Sequence, residues 1–216
     1  MNSRKLVYLI GTTLLWAGVG GGLTGFFLSF AAAVEEKWSS LEWLLGGVGW
    51  FGGGLIFGAL SLLGYLVFLL IHQMGLGLFR KQELWHLVLY LLVMVSFIDL
   101  YLFPSAINQG GEKWSLFLFP PVLLAWAVVV AYLKKRETRP SAFAPSLFFM
   151  FTMTVLELIP ALRGENLRSL VDMGIPLIIA NTWQLLILHR LIGEEKPSPT
   201  QAPPPLSQTR RSVQKP

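Results

Sequence analysis

Six apolar stretches follow one another along this chain with hardly a soluble residue between them. They cover residues 6–30, 43–71, 84–103, 115–133, 141–162 and 173–192. Each is near or above the ~20 residues that a helix needs to cross ~30 Å of hydrocarbon. Inside a bilayer every backbone N–H and C=O must find its partner within the protein, which makes a helix the natural state of each stretch. The pattern predicts an all-α, polytopic membrane protein of six transmembrane helices. Function then has to be carried by the bundle and its short connections.

Composition agrees. Of 216 residues, 54% are hydrophobic and 13% charged, against ~25% charged in a typical soluble domain. One membrane domain is expected over residues 1–192, followed by a disordered, proline-rich cytoplasmic tail over 193–216. Arg4, Lys5 and the small run Ala31-Ala32-Ala33 have the flavour of a signal peptide. The first apolar run is much longer than the ~7–15 residues of a signal sequence core, so a retained helix is expected.

The net charge of +5 matters less than its placement. Sorted by alternate sides of the six stretches, 13 of the 17 Lys and Arg fall on one side. Only Lys37, Lys113, Arg163 and Arg168 fall on the other. Excess Lys and Arg mark cytoplasmic connections, so both termini are expected inside a bacterial plasma membrane. Charges spread over separate helix ends do not make a nucleic-acid surface, and no nucleic-acid partner is expected. Cysteine is absent, which removes thiol chemistry and Cys-ligated zinc.

Glycine concentrates in the first two helices. Gly18 and Gly22, Gly21 and Gly25, Gly49 and Gly53, and Gly54 and Gly58 each stand four apart. Small residues at that spacing let helix backbones approach closely. Packing of helix 1 on helix 2 through Gly18, Gly22, Gly49 and Gly53 is expected, with a homo-oligomer or partner face as the alternative use.

Few ionisable residues fall within the spans. Asp99 lies well into helix 3 and Glu157 well into helix 5, both expected near the outer third of the membrane, with Arg163, Arg168 and Asp172 just beyond. Charges within a bilayer are costly and tend to be paired or functional. Two uses stay open: a site for a cation, proton or small signal, and structural ion pairing with an Arg. Asn181 and Gln184 stand three apart on one face of helix 6, as interhelical hydrogen bonding requires. Together Asp99, Glu157, Asn181 and Gln184 form the candidate buried polar or signal site. His72, His86 and His189 make no zinc motif. No GxSxG, P-loop or dinucleotide fingerprint occurs in a suitable context. Neither catalytic residues, a metal nor a cofactor is expected, and the chain does not read as an enzyme.

The connection over residues 72–83 mixes Met74, Leu76, Leu78 and Phe79 with Arg80 and Lys81. Such a segment suits the membrane interface, its basic groups near anionic headgroups. Phe79, Arg80 and Lys81 are the candidate contact for a partner.

Several runs carry a family resemblance. His72-Gln73-Met74-Gly75-Leu76-Gly77-Leu78-Phe79-Arg80, followed by Leu84-Trp85, resembles the KinB-signalling-pathway activation family, KbaA, of spore-forming Bacillus relatives. Phe97-Ile98-Asp99-Leu100-Tyr101, the stretch from Ala142 to Leu162 with Phe148-Phe149-Met150 and Glu157, and Asn181-Thr182-Trp183-Gln184-Leu185-Leu186 are similar to it in the same order. The resemblance implies an integral membrane protein that promotes signalling by a membrane sensor histidine kinase feeding the sporulation phosphorelay. The alternative, from the residues alone, is a small transporter or channel using Asp99 and Glu157.

Overall fold

Residues 3–79, 81–107, 113–162 and 167–193 are described by a computed structural model, and among them no strand occurs. Seven α-helices run in order: α1 Ser3–Glu35, α2 Ser40–Leu78, α3 Gln82–Ile107, α4 Lys113–Glu137, α5 Phe143–Phe148, α6 Thr154–Leu162 and α7 Leu167–Gly193. A 3-10 turn at Pro140–Ala142 leads into α5, and a π turn at Phe149–Met153 joins α5 to α6. The pieces from Pro140 to Leu162 make one continuous span. Among the described residues there are thus six helices long and apolar enough to cross a membrane.

The elements extend further than the apolar stretches alone suggest. The 39-residue α2 is about 58 Å long at 1.5 Å per residue. No ordinary tilt of up to ~40° fits that within ~30 Å of hydrocarbon, so its ends must stand outside it. Ser39 starts α2 through a reciprocal cap: its hydroxyl accepts from the Glu42 N–H, and the Glu42 carboxylate accepts from the Ser39 N–H at 2.6 Å. Lys37, with a φ of 54°, makes the tight turn that reverses the chain between α1 and α2. At its other end α2 continues as helix to Leu78. The expected interfacial connection over 72–83 is therefore mostly the last turns of α2, and only three residues separate Leu78 from Gln82. Pro120 and Pro121 lie inside α4 and Pro176 inside α7.

The fifth span is the hub. Of its most apolar stretch 72% is buried, against 22% for α3. Phe149, Met150 and Phe151 have no exposed surface. Rings of Tyr65, Phe68 and Phe97 pack against Phe149 and Phe151. α1 packs chiefly on α2 and α7, and α3 and α4 close the other side. Large apolar side chains such as Phe27, Ile56 and Val122 point outward, as suits a bundle whose solvent is lipid.

The glycine interface corrects the expected one. Gly18 does face the contact, against Phe51 and Leu55, but Gly22, Gly49 and Gly53 have nothing close to where a Cβ would stand. The close approach runs along Gly21 and Gly54, where a methyl on either would collide with the other helix's backbone. Gly58 seats against Ala17, and Gly25 against the Trp50 indole. Overlapping four-residue stripes occur in both helices, and the positions of Ala17 and Trp50 select among them. Trp85 is buried, whereas Trp16 and Trp126 are nearly half exposed.

Candidate functional site

The middle of the bundle holds a connected set of polar side chains from three spans. α7 contributes Asn181 and Gln184, neighbours one turn apart, and both are fully buried. α2 contributes Ser61, also fully buried, and the fifth span contributes Thr154 and Glu157. The π turn is what aims the last two. It adds a residue to the helix just before Thr154, which rotates everything after it by about 100°. Thr154 and Glu157 thereby face α7 rather than a neighbouring direction.

The hydrogen bonds run in one direction. Gln184 Nε2 donates to Ser61 Oγ at 2.6 Å, and Ser61 Oγ donates to Asn181 Oδ1 at 2.6 Å. Asn181 Nδ2 spends its two hydrogens on Thr154 Oγ1 and Glu157 Oε2, both at 2.9 Å. Both amide hydrogens of Asn181 are thus used, and its oxygen accepts one bond. The two ends of the chain are left unsatisfied. Glu157 Oε1 and Gln184 Oε1 are buried without a hydrogen-bond partner among the described residues. Glu157 Oε1 rests against Gly64 of α2, where any side chain would strike the carboxyl. Glycine at that position is what admits the carboxylate.

Sequence spacing suggests the outer third for Glu157, yet its partners lie near the middle of the 27-residue α7. Asn181 is about 20 Å along that helix from Arg168. Arg168 does not answer the carboxylate. It donates to Ser29 Oγ of α1 at 3.0 Å. Asp99 is exposed on α3 and shares no hydrogen bond with the cluster, so it does not join the buried polar site. Arg163 lies outside the described residues. Of the four polar candidates, Glu157, Asn181 and Gln184 come together. Ser61, Gly64 and Thr154, which sequence reasoning missed, complete the set. A lone serine three residues before a glycine in an otherwise apolar helix was the available signal for two of them.

A second arrangement lies where α2 meets α3. Trp85 Nε1 donates to His72 Nδ1 at 3.0 Å. The indole lies over Gly75, where a methyl would collide with it. Phe79 stacks on the same indole with centroids 5.6 Å apart, and Phe68 stacks on His72. Of the candidate partner contacts, Phe79 is thus half-buried in this knot and Lys81 is exposed, while Arg80 lies outside the described residues. Beside the knot an open apolar groove is lined by Ile71, Met74, Gly77 and Leu78.

The family model described as KbaA, KinB-signalling pathway activation in sporulation, matches residues 17–191. The chain belongs to the KbaA family. A Bacillus subtilis protein named KinB-signaling pathway activation protein is 34% identical to it over 188 residues, covering 86% of this chain and 89% of that protein. No solved structure matches. The stretch shared with the KbaA family holds both the polar cluster and the His72–Trp85 knot. It leaves out the whole proline-rich segment 193–216, of which residues 194–216 lie outside the described residues. Among the described residues no group of His, Asp and Glu could hold a metal ion in the usual way.

Proposed function

We propose that this KbaA family member is an integral protein of a bacterial plasma membrane that activates a sensor histidine kinase by binding it. The observation that carries the reading is the family match over residues 17–191, with the Bacillus subtilis relative's name pointing to the KinB pathway. Six helices of spanning length and composition support the membrane setting. In this reading the protein is not an enzyme. It shifts the kinase between two states by contacting one of them better, which is the only way a bound partner can move such an equilibrium.

The end of α2 is the contact surface in this reading. The His72–Trp85–Phe79 knot holds that end in one conformation. Met74 and Leu78 are among the most exposed apolar side chains of the chain, at 74% and 78%. Lys81 follows at once, next to Arg80. An apolar ledge with a basic edge suits the juxtamembrane helix of a kinase, which lies at the same level of the membrane. The test is complementation in a spore-forming host lacking its own family member. Production of this chain should restore kinase-dependent sporulation, and photo-cross-linking from position 74 or 78 should recover a sensor kinase. No restoration and no kinase in the cross-linked product would end the reading.

A further inference from the structure

We infer that the Ser61–Glu157–Asn181–Gln184 cluster is a binding site for one positive charge, a proton or an alkali cation, in the middle of the bundle. The inference starts from a mismatch in the hydrogen bonds. The chain of donors from Gln184 through Ser61 and Asn181 ends on Glu157 Oε2. Two buried acceptors, Glu157 Oε1 and Gln184 Oε1, are left over, and no side-chain donor among the described residues supplies them. Glu157 is 7% exposed and Gln184 wholly buried. A buried carboxylate with one hydrogen bond and no cation is among the most costly groups a protein can hold, more so in a bilayer.

Among the described residues no cationic side chain bonds the carboxylate: Lys134 of α4, itself buried, donates to the backbone carbonyl of Leu185, beside Gln184. From α2 the neighbours are Ser61, Gly64 and the phenol-bearing Tyr65, whose ring packs on Phe149. From α7 they are Asn181 and Gln184, with Asp172 two and a half turns away towards the start of the helix. From α3 the charged residue at the corresponding stretch is Asp99, exposed and of the same sign. Thr154 comes from the carboxylate's own span. The nearest described guanidinium on α7, Arg168, is engaged with Ser29.

A single positive charge answers the orphaned carboxylate oxygen. A proton on Glu157 Oε1 makes the group neutral and turns an acceptor into a donor. An alkali cation would instead draw on oxygens, and the cluster provides them from Glu157, Gln184 and Ser61. The π turn places this carboxyl, and π turns of this kind recur at functional sites. Gly64 keeps space against Oε1 that any other residue would fill. The inference does not depend on the kinase reading, since it concerns a charge bound by the protein alone.

The test is thermal unfolding of the full chain in zwitterionic-lipid nanodiscs, wild type against Glu157→Gln. The amide has the shape of the carboxyl and carries its own donor, so it copies the neutral form. Unfolding is followed between about pH 5 and about pH 9, with sodium chloride or choline chloride at equal ionic strength. If a proton is bound, the folded state holds one more proton than the unfolded chain, so the wild type gains stability as pH falls. The difference should be roughly 2–4 °C or more. Glu157→Gln should lack this gain and match the wild type at low pH, and sodium should do nothing to either. If an alkali cation is bound, sodium should raise the wild-type midpoint at high pH, while Glu157→Gln is less stable and ignores sodium. The same pH slope and the same salt response in both proteins would overturn the inference. Should Glu157→Gln fail to fold, wild-type infrared spectra and sodium titration calorimetry decide. Neither a protonated-carboxyl carbonyl band nor a sodium-binding heat would also overturn it.

Discussion

Gly21 of α1 and Gly54 of α2 meet backbone to backbone, with no room for a methyl group on either. The contact lies in the broadest helix pair of the bundle, that of α1 with α2. In lipid, helices gain little from hydrophobic burial against each other, so close packing supplies much of the association. A side chain here must push the two helices apart along a considerable length.

Gly21→Leu and Gly54→Leu should each destabilise the folded protein by about 1–3 kcal/mol, the usual cost of overpacking a tight contact. Gly53→Leu, one residue round the same helix, stands where an added Cβ meets nothing within 4 Å and should stay within about 0.5 kcal/mol of wild type. Denaturing-detergent titrations of the three variants measure this. Equal losses at positions 53 and 54 would contradict the interface described.

Asn181 links three spans through its three polar bonds to Ser61, Thr154 and Glu157. Interhelical hydrogen bonds within membranes average about 0.6 kcal/mol each, so replacement by the apolar Leu should cost roughly 2 kcal/mol. Ser61→Ala removes two bonds of the network rather than three and should cost about 1 kcal/mol. The same titration reads both. An Asn181→Leu variant as stable as wild type would mean that the network forms no part of the folded protein's stability.

The two sites differ in how far the sequence revealed them. The six helices were legible because a bilayer forces each apolar stretch into the same structure, whatever its side chains. Asn181 and Gln184 were legible because two polar residues three apart in an apolar helix can only share a face. The facing of Glu157 was not. Counting round a helix assumes a regular one, and the π turn at Phe149–Met153 adds a residue that no composition announces. Its partner face on α2 was hidden for a different reason. Ser61 and Gly64 are ordinary residues until a carboxylate from a distant part of the chain is known to lie between them. The run from His72 to Arg80 was distinctive as a sequence, but its distinctiveness is divided. His72, Gly75 and Phe79 serve the Trp85 knot, and Met74 and Leu78 remain outside it.

That division gives a prediction at Gly75. A methyl there collides with the Trp85 indole, which is held by His72 on one side and Phe79 on the other. Gly75→Ala should therefore cost about 1–3 kcal/mol. Combining it with Trp85→Leu, which removes the obstructing ring, should recover part of that loss, with a coupling of 0.5 kcal/mol or more in a double-mutant cycle. Additive losses in the cycle would show that the glycine and the indole do not meet.

The orientation of the bundle is a prediction from charge. Sorted along the sequence by alternate sides of the six apolar stretches, 13 of the 17 Lys and Arg are assigned to the side of the two termini and four to the other, and connections this short are those in which the charge bias counts. Lys134, Lys135 and Arg136 close α4, and Lys81 stands between α2 and α3 on the same side. Lys37 marks the opposite side, in the turn before α2. Reporter fusions ending at Lys81 and Lys135 should therefore be active in the cytoplasm, and fusions ending at Glu36, Gly111 and Gly164 outside it. The arrangement has a consequence for the contact surface, because the His72–Trp85 knot and the exposed Met74 and Leu78 then face the compartment of the kinase's catalytic half. Changing Lys134, Lys135 and Arg136 together to Glu should weaken the bias at α4 and yield a mixed population at the Lys135 fusion. An external signal at Lys135 in the wild-type sequence would invert the bundle and remove the end of α2 from the kinase's reach.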